Sequence, residues 1–138
     1  MRSTKKGQGS IEYISLVALT LVLVIPLIII YFDNASSTEE AVIANQAEHV
    51  AKKIRDSAES MYYLGEGSKN SFRVYMPKHI TEILIQNNEI VFRASTKNGI
   101  NEIVQYCPIN ATGNISTWNG DHTIVVESKG SYVSVYDG

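Results

Sequence analysis

The sequence predicts an α+β protein, a long N-terminal hydrophobic and then amphipathic helix followed by a small antiparallel β domain. Three observations carry this: an apolar run from Ile14 to Phe32, apolar residues at helical spacing from Ile43 to Leu64, and short β-branched or aromatic runs separated by turn residues thereafter. At 138 residues the chain supports one modest core. Its hydrophobic share of 44% is concentrated in the first of these regions, so the rest is more polar than the average.

Charge separates the same regions. The formal net charge is −2, but residues 1–7 hold Arg2, Lys5 and Lys6 without an acid, which leaves 9 basic against 14 acidic residues, or −5, downstream. A downstream part this acidic argues against nonspecific nucleic-acid binding, and no nucleic acid is expected as a partner. The single cysteine, Cys107, excludes an intramolecular disulfide, so stability has to come from packing.

The lead-in MRSTKKG is short, basic and polar, the kind of segment retained on the cytoplasmic side while the next segment enters the membrane. Between Ile14 and Phe32 only Ser15, Thr20 and Pro26 interrupt the apolar side chains. About 20 such residues at ~1.5 Å each match a hydrocarbon core of ~30 Å. Tyr31, Phe32 and Asp33 make a poor cleavage site for an ordinary secretory signal, so the apolar run is expected to stay in the protein. Pro26 cannot donate to the Val22 carbonyl, and reads either as a compliant point or as a tolerated kink.

Farther on, Ile43, Ala47, Val50, Ile54, Ala58, Met61 and Leu64 recur every three or four residues and give a helix with one face to bury. Asn34, Ser36 or Ser37 could cap it, or it could continue from the apolar run; a helix from Gly9 to Leu64 would be roughly 80 Å long. Gly65, Gly67 and Ser68 end the helical pattern. The expected strands are 71–76, 81–86, 89–95, 100–106, 115–118, 123–128 and 131–136, with turns at Asn87-Asn88, Asn98-Gly99, Asn119-Gly120 and Lys129-Gly130, forming a meander packed on the helix stripe.

The most specific signal is KKGQGSIEYISL: Lys5, Lys6 and Gly7, then Gln8, Ser10, Glu12 and Leu16 ahead of the apolar run. It resembles the class III signal peptide of archaeal type IV pilin-like proteins, in which a prepilin peptidase cuts between glycine and glutamine; every specified position of the pattern is met. The resemblance implies a leader of residues 1–7 ending at Gly7, a mature protein starting at Gln8, a helix over 8–64 with 14–32 as membrane span and then filament core, and a β domain over 65–138. It also implies a homopolymer of pilin copies, stored in the cytoplasmic membrane with the N-terminus inside and then exported as an extracellular surface filament serving adhesion to a cell-surface or abiotic target. The motif covers about a dozen residues, and the overall plan extends the likeness along the chain. Neither the phenylalanine start nor the C-terminal disulfide loop usual in bacterial pilins is present, which favours the archaeal type.

Glu12 near a membrane-entering helix calls for a partner. Cleavage after Gly7 would create one, the α-amino group of Gln8, whose cation a neighbouring subunit's Glu12 could neutralise, setting axial register. The alternatives are a carboxylate at the headgroups or one paired with Gln8 of its own chain four residues back.

Other signals are weaker. N-glycosylation sequons occur at Asn34, Asn110 and Asn114, the last two in an expected loop and Asn34 directly after the apolar run. His49, His79 and His122 lack metal-ligand spacing and are expected at solvated or edge positions; neither metal nor cofactor is called for. Cys107 with His79 or His122 could make a nucleophile and base, but a cysteine before Pro108 at a strand end reads better as a small packed residue, and no enzyme is expected. The alternative function is a minor pilin or a membrane-tethered surface protein whose β domain binds a ligand.

Overall fold

A computed structural model describes the chain from Thr4 to Gly138. One α-helix, α1 (Thr4–Leu64), precedes seven strands: β1 (Lys69–Met76), β2 (Ile80–Gln86), β3 (Glu89–Thr96), β4 (Gly99–Tyr106), β5 (Ala111–Asn114), β6 (Gly120–Ser128) and β7 (Val133–Asp137). The α+β layout is the one the sequence predicts. Two compact units divide after Glu39, one made of residues up to that point and the other of Glu40–Gly138.

The choice between a capped second helix and a continuous one is resolved for continuity. Ser37 Oγ donates to the Asp33 carbonyl at 3.1 Å and Thr38 Oγ1 to the Asn34 carbonyl at 2.9 Å. Both hydroxyls thus turn back on the preceding turn rather than cap a new one. Pro26 lies inside α1 and does not end it.

In the second unit, the helix face that the spacing predicts is buried at Ile43, Ala47, Val50, Ile54, Ala58 and Met61, joined by Ala51. Ala47, Ala51 and Ala58 are all fully buried on this face, and Ile54 is the large side chain fully buried among them. The facing sheet residues include Ile83, Ile85, Ile90, Phe92, Ile124, Val126, Val133 and Val135. Leu64 departs from the expectation: it closes the last helical turn and is 70% exposed. Gly65, at φ 99°, then takes the left-handed conformation that commonly terminates helices.

The sheet order is β1-β6-β7-β5-β2-β3-β4, which corrects the expected simple meander. Only β2-β3-β4 is one, and the Asn87-Asn88 turn joining its first two strands has both residues at positive φ, as a two-residue hairpin of that type requires. The next turn falls on Lys97 and Asn98, with Gly99 already in β4. Asn119-Gly120 forms no hairpin because Gly120 opens β6, and residues 129–132 connect β6 to β7, closed by the Lys129 amide donating to the Tyr132 carbonyl at 2.9 Å.

The strand expected at 115–118 is absent, and β5 lies just before it, at Ala111–Asn114. β5 runs parallel to β7, with Gly113 opposite Val135, the one departure from antiparallel pairing. A side chain at Gly113 would place its Cβ 2.0 Å from the Val135 carbonyl oxygen, so glycine is what admits this neighbour.

Candidate functional site

The segment with the strongest functional signal is the first half of α1. From Ile11 to Phe32 its large apolar side chains are all exposed, from 39% at Val17 to 70% at Tyr31. The segment is long and apolar enough to cross a membrane. More than a dozen such side chains, at ~1.5–3 kcal/mol each, make full exposure to water cost on the order of tens of kcal/mol. The environment that satisfies this half is apolar on every side, which lipid or other copies of the same helix would provide.

Its polar groups fit that environment. Ser15 Oγ donates to the Ile11 carbonyl at 2.8 Å and Thr20 Oγ1 to the Leu16 carbonyl at 2.9 Å, so both hydroxyls are satisfied within the helix. Gly7 and Gly9 are helical, and a Cβ at either would meet nothing within 4 Å. Ser10 and Glu12 are exposed, as is Leu16. Glu12 has no ion-pair partner among the described residues. The side chains of Lys5, Lys6 and Gln8 lie outside the described residues, and with them the intra-chain pairing of Glu12 with Gln8.

Comparison with protein-family models, curated proteins and solved structures finds no match to this chain.

The glycosylation candidates separate by context. Asn34 is within α1, with its carbonyl occupied by Thr38. Asn110 is exposed just before β5 and accepts the Val133 amide at 2.9 Å through its carbonyl. Asn114 is exposed but sits in β5, not in the expected loop, and pairs with Tyr136.

Cys107 is fully buried. Burial pushes its thiol pKa up, only partly offset by the Ile109 amide, which favours the uncharged thiol over the thiolate a nucleophile needs. Among the described residues no group of three or more His, Cys, Asp or Glu side chains is placed to hold a metal. His49 and His79 are exposed, as expected.

His122 is not at a solvated position: it is 3% exposed and stacks under Trp118 with ring centroids 4.0 Å apart. Its Nε2 lies 2.7 Å from the Trp118 carbonyl and its Nδ1 3.2 Å from Asp137 Oδ1. Both ring nitrogens therefore face oxygen atoms that can accept a hydrogen bond. Asp137 Oδ2 accepts the Ser116 amide at 2.7 Å. Partial burial works to raise the Asp137 pKa, but the hydrogen bonds from Ser116 and His122 outweigh it and hold the carboxyl below its ordinary 3.8. Alternation from Ile124, Val126 and Ser128 back to position 122 was the signal for this inward histidine; nothing local pointed to Asp137.

Proposed function

We propose that this chain is the structural subunit of an archaeal type IV pilus-like surface filament. The observation that carries the reading is an all-round apolar, exposed helical half placed directly behind the KKG/QGSIEYISL motif, with one exposed carboxylate, Glu12, at its entry. The subunit waits in the cytoplasmic membrane with its N-terminus inside. A prepilin peptidase removes residues 1–7, and hydrophobic burial among copies then replaces burial in lipid. Glu12 meets the new α-amino group of Gln8 on a neighbouring copy, which removes two unpaired charges from the apolar core and fixes axial register. The β domain is the outward-facing part, and adhesion is its proposed task.

Mass spectrometry of the secreted or filament-bound protein, with electron microscopy of the same sample, tests this. The expected result is filaments whose subunit begins at Gln8; an intact Met1 would overturn the reading. Glu12→Ala is expected to be cleaved normally but to yield few or no filaments, and normal filaments from it would remove the pairing.

A further inference from the structure

Two surfaces of the second unit have no partner within it, and they sit on the two edge strands of the sheet, β1 and β4. The first is a groove of about 450 Å³ between α1 and β1. Val42, Val50 and Val74 give it an apolar lining, while Lys53 and Arg73 line it with positive charge and no acid does. Neither cation is in an ion pair among the described residues; Lys53 Nζ donates to the Arg73 carbonyl at 3.1 Å, which also covers one acceptor of the β1 edge.

The second surface is the outer face of β4. Strand alternation puts Ile100, Glu102, Val104 and Tyr106 on that face, and the three apolar members are 67%, 54% and 64% exposed. Val104 lies opposite Val91, and Val91 opposite Leu84, so the apolar row extends across three strands. Its charge is the reverse of the groove's. Arg93 is held by both Glu82 and Glu102, and Glu89, opposite Tyr106, is exposed; three carboxylates against one guanidinium leave the face net acidic.

We propose that the β4 face of one copy seats in the α1/β1 groove of the next, with Val104 and Tyr106 against its valines and the acidic rim facing Lys53 and Arg73. Charge complementarity selects a second copy over other occupants, because an apolar face of the opposite sign is present on the chain itself. Two different patches on opposite edges make a heterologous contact, which propagates from copy to copy instead of closing a two-fold dimer. The inference rests on the filament reading and adds to it: the β domains hold one another, so cohesion does not come from the apolar helices alone.

Disulfide trapping in filaments of the full chain tests it, with Asn45→Cys in the groove and Val104→Cys on the face; Cys107 is buried and the single variants control for it. Under mild oxidation the double variant is expected to give a ladder of dimers, trimers and longer chains, and each single variant no ladder. Filaments without a ladder, or equal ladders from a single variant, would overturn the contact while leaving the filament reading intact. A wild-type chain that keeps Met1 and forms no filaments would overturn both. Should the cysteine pair itself block assembly, charge reversal decides: Arg73→Glu and Glu89→Arg each lower filament yield roughly tenfold, and the two together restore it. Unchanged yield in the single variants, or no recovery in the double, overturns the proposal.

Discussion

The two halves of α1 share one secondary structure and differ in what surrounds them. Between Ile43 and Met61, small and branched side chains alternate with Glu48, Lys52, Lys53 and Arg55, and the buried stripe is as wide as the sheet needs. Between Ile11 and Phe32 there is no polar face, and no residue of its most apolar stretch is buried. A stripe tells a helix which neighbour to take; a helix apolar all round specifies only that its surroundings be apolar. Such a helix can exchange lipid for protein without changing its own fold, and the striped half cannot leave its sheet.

Core truncation gives the largest expected effect. Phe92 is fully buried, and Phe92→Ala should lower the unfolding free energy by about 3–5 kcal/mol in chemical denaturation of the full chain in micelles. Ile25→Ala, at an exposed site in the other half, should leave that midpoint unchanged; equal losses at the two sites would break the distinction between the halves. Next comes Leu23→Lys, expected to disfavour membrane insertion by about 2.5–3.5 kcal/mol in an insertion assay while the β domain unfolds as in wild type.

Smallest is the Asp137 contribution. Removing the carboxylate with Asp137→Ala deprives His122 and the Ser116 amide of an acceptor and should cost about 1–3 kcal/mol near neutral pH. Because its folded pKa lies below the ordinary 3.8, the unfolded chain takes up the proton first as pH falls. The stabilisation is therefore complete above that range and disappears as pH drops through the folded value. Acid titration of the unfolding midpoint should lose this part of its slope in Asp137→Ala.

The sequence made the helix, its buried stripe and the first four strands legible because each depends on a local period: 3.6 for Ile43 to Met61, two for Ile83, Ile85, Ile90 and Phe92. Leu64 continued the stripe in number but not in space, since the chain leaves the helix at Gly65. The run Ile115–Trp118 has the composition of a strand, yet the Ser116 amide goes to the Asp137 carboxylate rather than to a ladder, and Ile115 alone turns into the core. Ala-Thr-Gly-Asn, which does form a strand, has little intrinsic preference for one and owes its place to β2 and β7. The apolar segment, Glu12 and the motif were readable at once. The groove, the β4 face and the His122 cluster were not, because each joins residues far apart in the chain.

Gly113 and its short strand also bear on how the domain comes together in time. β2-β3-β4 and β6-β7 are joined by brief connections and can form early, while β5 links one group to the other through four residues. Its pairing with β2 is confined to Ile85 and Gly113, so this seam is the natural last step of folding and the first place for the sheet to open. In native-state hydrogen exchange the amides of β5 should therefore lose protection sooner than those of β3, and a domain caught during folding with that seam still open would present two half-sheets with unsatisfied edges.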